Sequence, residues 1–530
     1  MTTRRKQRNK RGPPRAKTRI APNKGNRRAT SKTPAEDGQV ERTPPWLRLA
    51  VLVGVVAGIA LRIRFLTGRA GTIDADEAIV GLLARHILRG EELVGFFWGQ
   101  GYGGTLEPML VAFVFALVGP RPGALAVVPT VFSAIAALLV WRIGRRTVGH
   151  RAGVVGALAM WLWPAYMVWF SIKEKGFYWV CLAVGLALLL VVLRLVEEPL
   201  RDGWWLLLGF LAGVGWWTSP QILYFVLPGV LWLLARQRQE AWRLVLAVPT
   251  ALIGAAPWLV ANFRDDWASF TPANRFNDQG FLGNVWVFLS EGVPVILNLR
   301  DAGGWIVDGF FPVLYVALLA GIAVAVLRHP SGTGLLVLGV IVYVPVYAVF
   351  PVSGVGGEGR YLLFLLPFLA LLLAHAARRP LAQAALLAAV LALSVVTVPV
   401  VEASTVARAG EQRVPTDMGP LLAELDRRGI THLFADFWIA YRVTFESGER
   451  IIAAPIGNSR YEPYDRAVIE SAWPAWLFVD EAALSKQFEI ELANRGTPYE
   501  RFRVGGFVVY QPEERVICWP LPPAPGVACS

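Results

Sequence analysis

The chain has 530 residues, 55% of them hydrophobic and only 17% charged, with a mean hydropathy of +0.46; an ordinary soluble domain is about a quarter charged. That balance excludes a soluble globular enzyme and points to an α-helical polytopic membrane protein, because apolar runs of about 20 residues recur along the chain. The net charge of +13 invites a nucleic-acid partner, but most of the excess lies in Met1 to Arg42, so no nucleic acid is expected and the partners are membrane lipids.

In chain order, residues 1–45 form a basic arm without apolar periodicity. Such a segment cannot bury enough to fold, and its charge holds the N-terminus in the cytoplasm. Apolar runs follow at Leu47–Leu66, Leu106–Val118, Ala124–Trp141, Val154–Phe170, Phe177–Leu195, Trp204–Trp217, Ile222–Leu234, Leu244–Ala261, Phe311–Leu327, Leu335–Phe350, Leu362–Ala374 and Leu381–Val400. Basic clusters at Arg142/Arg145/Arg146/Arg151, Arg236/Arg238/Arg243, Arg328/His329 and Arg378/Arg379 belong on the cytoplasmic side. All four fall there only if Leu106–Val118 does not cross. That run is also too short for a hydrocarbon core of about 30 Å, so it reads as a juxtamembrane or re-entrant helix, leaving about eleven spans within residues 46–400. The external segments are then 67–121, Ser171–Gly176, a tight turn at Ser219–Gln221, the long loop 262–310, Pro351–Tyr361, and the tail 401–530.

The tail reads as a small external α/β domain. Leu421–Arg428 is a helix stopped by Gly429, and Thr431–Phe437, Ile451–Ala454, Trp476–Val479 and Phe507–Tyr510 are strands. It carries no catalytic signature. Of the three cysteines, Cys181 lies in an apolar run as a packing residue. Cys518 and Cys529 pair only if the tail is outside the cytoplasm.

The external segments collect the unusual polar groups. Asp74, Asp76 and Glu77 open an amphipathic stretch, Asp76–Leu88, with Ile79, Leu82, Leu83, His86 and Ile87 along one helix face. Acids at a helix N-terminus are favoured by its dipole, so capping is the plain reading, above all for Asp74. Lys173, Glu174 and Lys175 occupy the short second loop. Gly357-Glu358-Gly359-Arg360-Tyr361 precedes a late span, with an ion pair to Arg360 as the structural alternative for Glu358. Most of the 21 Trp sit near span ends as an interfacial belt; Phe96-Phe97-Trp98, Trp216-Trp217 and Trp305 fit packing better than sugar stacking. Asn274–Asp278, with Arg275, fits a lid over an acceptor.

The segment Asp76-Glu77-Ala78 to Ala84-Arg85-His86-Ile87-Leu88, just after the first span, resembles the first external loop of the GT-C glycosyltransferases. These are polyprenyl-phosphate-sugar-dependent membrane enzymes related to protein mannosyltransferases and aminoarabinose transferases. Gly99-Gln100-Gly101-Tyr102-Gly103-Gly104-Thr105-Leu106-Glu107-Pro108 resembles a Gly-rich, Pro-containing piece of the same loop, although the mannosyltransferase branch has Lys-Pro-Pro where this chain has Glu107-Pro108. Ser171–Gly176 is similar to the family's second loop, with Glu174 at its acidic position, and Arg360-Tyr361-Leu362 with Pro367 to its Arg-Tyr…Pro pattern.

The resemblance implies transfer of a sugar from a polyprenyl-phosphate donor to a glycan, lipid or protein acceptor at the extracytoplasmic face. The chemistry needs a base for the acceptor hydroxyl and cations for the lipid-phosphate leaving group. Asp76 is the expected base, with Glu77 and Glu174 as catalytic partners. Arg360, Tyr361, Lys173, Lys175 and Glu107 are the expected substrate-binding residues. A divalent cation, Mg or Mn, is expected at most at Asp76 and Glu174, since no His or Cys spacing requires one. The competing class is a transporter or flippase for a lipid-linked glycan. It is disfavoured because charges cluster at one face instead of at the midplane.

Overall fold

The computed structural model describes residues 44–91, 95–270, 279–301, 303–350, 359–405, 407–517 and 519. The basic arm, the Asn274–Asp278 lid, Glu358, Cys518 and Cys529 lie outside them.

Apolar helices form where the runs predict them. Among the described residues, five are long and apolar enough to cross a membrane: Pro45–Thr67, Pro122–Thr147, Tyr178–Glu197, Phe310–Arg328 and Gly359–Ala376. Two more candidates are bent pairs, Ala241–Gly254 with Ala256–Arg264 at 57° and Pro380–Val396 with Val398–Ser404 at 44°. Proline accounts for several interruptions, since it removes a backbone donor and crowds the preceding turn. Pro164 separates His150–Leu162 from Ala165–Phe170, and Pro257 and Pro399 stand in the first turn of the second halves of the bent pairs.

Leu106–Val118 keeps both its ends at one level of the bundle. Glu107, at its start, accepts the Val180 amide at the head of Tyr178–Glu197. Phe115, near its finish, stacks on Phe445 of the C-terminal domain. It is a 13-residue apolar helix, shorter than the five helices long enough to cross. The interval 262–310 is not the plain loop expected. It contains an apolar helical stretch, Gly280–Ile296, with a π-type turn at Phe288–Gly292. Asn284 donates to the Ala348 carbonyl at 2.8 Å, Tyr315 donates to the Leu289 carbonyl at 2.8 Å, and Gly292 lies against Leu362. This stretch therefore packs along the same end of the bundle. Asn284, Ser290, Glu291 and Pro294 break up its apolar composition, which hides it in the sequence.

The basic clusters gather at the opposite end. Gly332 packs on the Thr147 carbonyl, Gly334 on Trp232, and the His375 ring bonds the His329 carbonyl at 3.1 Å. Arg145, Arg146, Arg236, Arg328 and Arg378 thus share one rim.

The C-terminal domain is a five-stranded sheet with flanking helices. Its strands are β1 (His432–Asp436), β2 (Ile452–Ile456), β3 (Ala475–Val479), β4 (Tyr499–Val504) and β5 (Phe507–Pro512), in the order β2-β1-β3-β5-β4. β1 runs parallel to β2 and β3, whereas β5 is antiparallel to β3 and β4. Gly419–Arg428 ends at Gly429 with φ +69°, as expected. Strand β4 is not among the expected strands: its burial pattern is mostly open, as an edge strand's is. The domain docks on the bundle through helix Phe437–Glu446. Phe445 occupies the place where a side chain at Gly81 would be, and Glu449 pairs with Arg85, His86 and Arg89.

Candidate active site

The site is built on the first turn of helix Ala75–Arg89. Asp74 is its N-cap: its carboxylate accepts the Glu77 amide at 3.2 Å, and Glu77 accepts the Asp74 amide at 3.1 Å. This reciprocal box divides the three acids by position. Asp74 is committed to the cap, and the third helical residue, Glu77, is turned into the protein. Asp76, between them, faces outward.

The second loop completes the layer. Lys173 pairs with Glu77 and donates to the Thr72 carbonyl at 2.7 Å. Lys175 pairs with Asp74 and stands 3.4 Å from Asp76. Both lysines and Glu77 are withdrawn from solvent, and Glu77 is 2% exposed. Burial alone would raise the Asp74 carboxyl, but the Lys175 and Lys173 ammonium groups hold it well below the usual range. Burial would likewise lower Lys175, and its neighbours Asp74 and Asp76 more than reverse this. Arg360, from the head of the late span, comes within 3.5 Å of Asp76 and lies over the Tyr361 ring at 5.1 Å. Asp76 is thus flanked by two cations, and its side chain is 26% exposed, more open than any other acid of the cluster.

Glu174 points away from this face. It is 0% exposed, with one carboxylate oxygen accepting the Gly176 amide at 3.0 Å. Among the described residues no N–H or hydroxyl reaches its other oxygen; the neighbouring group is the Glu107 carboxyl. Two buried carboxyls side by side share a proton instead of both ionising. Burial raises Glu107 to about 7, and burial with the Glu107 charge raises Glu174 well above its ordinary value. The unfolded chain releases these protons above about pH 4.3. The folded state therefore binds more protons, and stability falls as pH rises from there toward 7. Glu107→Gln is expected to flatten that segment of a melting-temperature-against-pH curve; an unchanged slope would assign the proton elsewhere.

The structure thus brings Asp76, Glu77, Lys173, Lys175, Arg360 and Tyr361 into one layer and sets Glu174 and Glu107 behind it. Among the described residues no group of three or more His, Cys, Asp or Glu is arranged to hold a metal. The aromatic candidates serve packing: Trp98 stacks on Tyr461 at 3.9 Å between ring centroids, and Trp216 meets Trp258 edge-on. Sequence reading missed Tyr102, whose hydroxyl feels the charges of Asp76, Arg360 and Arg460. It also missed Arg460, which donates to the Gly99 carbonyl at 3.3 Å across 361 positions of sequence. No local pattern announces a contact at that separation.

Residues 105–260 match the family model described as dolichyl-phosphate-mannose-protein mannosyltransferase. No curated protein matches the chain. Among solved structures, ArnT from Cupriavidus metallidurans bound to undecaprenyl phosphate superposes with a TM-score of 0.60 at 14% identity, covering 88% of this chain and 98% of ArnT. Its apo form gives 0.61 at 13% identity, covering 88% and 97%. The archaeal oligosaccharyltransferase AglB from Archaeoglobus fulgidus, in complex with an inhibitory peptide and a dolichol-phosphate, gives 0.50 at 12% identity, covering 88% and 74%. The loop resemblance is borne out at the level of architecture: the chain has the fold of the GT-C membrane glycosyltransferases.

Proposed function

We propose that this protein transfers a sugar from a polyprenyl-phosphate donor to an envelope acceptor at the extracytoplasmic face. The observation that carries the reading is Asp76: the most open acid of the cluster, held between Lys175 and Arg360. A carboxylate so placed removes the proton of an acceptor hydroxyl as the hydroxyl oxygen attacks the anomeric carbon. The bond from that carbon to the phosphate oxygen breaks, and the negative charge left on the lipid phosphate is met by Arg360 and Lys175. Glu77 and Lys173 are positioning residues: they fix the helix turn that presents Asp76. The family model's description and the lipid phosphates in ArnT and AglB support the donor class. The basic clusters at the opposite rim support the external placement. For a divalent cation the arrangement offers one open carboxylate, Asp76; Glu174, read as a second ligand, is turned to Glu107.

The test is transfer of radiolabel from polyprenyl-phosphate sugars into an envelope fraction by the purified protein in lipid nanodiscs. Label is expected in the acceptor, with free polyprenyl phosphate released in equal amount. A flippase would instead move the labelled lipid across the bilayer with its sugar–phosphate bond intact.

A further inference from the structure

We propose that Arg460, from the C-terminal domain, is an oxyanion-binding residue of the site, and that the group it takes is a phosphate. The inference rests on the donor reading above and adds to it a ligand from a domain that shows no catalytic signature.

Arg460 follows β2, at the carboxyl edge of the parallel strands β1, β2 and β3. Open α/β sheets hold their ligands at that edge. Here the edge faces the Gly-rich loop. Gly99 has φ +65°, and a side chain on it would collide with the Arg460 backbone at 2.8 Å, so only glycine permits this approach. The Arg460 amide is held by the Tyr441 hydroxyl at 2.6 Å, which fixes the start of the side chain. One terminal nitrogen bonds the Gly99 carbonyl, and the guanidinium lies 6.0 Å from the Phe437 ring.

The half-buried guanidinium forms no ion pair among the described residues, and its Nε is enclosed without an acceptor. Every other cation of the site, Lys173, Lys175 and Arg360, stands beside a carboxylate. A planar fork with unspent donors suits a phosphate oxygen pair. Its position suits the reaction too. Arg460 bonds the loop at Gly99, and three residues on, the Tyr102 hydroxyl is near enough to Arg460, Arg360 and Asp76 to feel the charge of each, so Arg460 stands in the neighbourhood of the proposed base. Phosphate there has two sources: the lipid carrier's headgroup, or a phosphate group arriving from water.

The experiment uses the full chain in lipid nanodiscs, titrated with undecaprenyl phosphate by tryptophan fluorescence and with inorganic phosphate by calorimetry. Arg460→Gln is expected to weaken one of them about tenfold, with the melting temperature unchanged. Arg460→Lys, which keeps stem and charge but loses the fork, is expected to fall between, and decides the matter if the Gln variant does not fold. Weakened undecaprenyl phosphate assigns the lipid headgroup, and a loss confined to inorganic phosphate assigns a water-borne group. Unchanged affinity for both overturns the proposal. Arg360→Gln separates the two readings. If it weakens undecaprenyl phosphate while Arg460→Gln changes neither ligand, only this inference fails; if neither variant changes either ligand, the donor reading fails with it.

Discussion

Asp76→Asn is expected to lower sugar transfer by roughly two to four orders of magnitude, the usual contribution of a positioned general base. The fold should survive. Asn is isosteric, Asp76 is partly open, and its contacts to Lys175 and Arg360 are long, at 3.4 Å and 3.5 Å. The cap is Asp74's, so the helix keeps its N-terminal hydrogen bonds. Undecaprenyl phosphate binding should be retained or tightened, since a negative charge beside the phosphate site is removed. Loss of kcat with intact lipid binding distinguishes a base from a substrate anchor. A variant that folds, binds and transfers like the parent protein removes Asp76 from the mechanism.

The largest structural effect is expected at Lys173. Its ammonium group is the buried partner of Glu77 and the donor to the Thr72 carbonyl. Lys173→Met leaves the Glu77 carboxylate without its cation and the Thr72 carbonyl without this donor in a water-poor site, and breaking such a pair from one side costs about 3–5 kcal/mol. Burial already raises the Glu77 carboxyl, with Lys173 the main opposing influence, so in this variant Glu77 takes up a proton and the anchor of the turn is lost. The double variant Glu77→Gln, Lys173→Met removes both charges and should recover most of the stability. Thermal unfolding in detergent measures both; equal losses in the single and double variants would mean that the pair contributes little.

The hydrophobic periods made the helical bundle legible, and the basic clusters picked out in the sequence gather at one rim of it. Runs interrupted by polar residues were harder: Gly280–Ile296 reads as loop because Asn284 and Glu291 interrupt an apolar helix that lies along the bundle end. In the site, Asp74, Asp76 and Glu77 were separable in principle, because N-cap and third-position acids are bound to the helix backbone and the second is not. What no local pattern holds is the pairing of Glu174 with Glu107, or the arrival of Arg460 at Gly99. Both depend on how distant segments pack, and a residue's environment, not its type, sets whether its charge is spent on structure or left for chemistry.

The most direct measurement is an electron-microscopy structure of the protein in nanodiscs with undecaprenyl phosphate bound. The phosphate is expected against Arg360, within reach of Lys175 and on the open side of Asp76. Density for the phosphate at the opposite rim, beside Arg145, Arg146 and Arg236, would contradict the account.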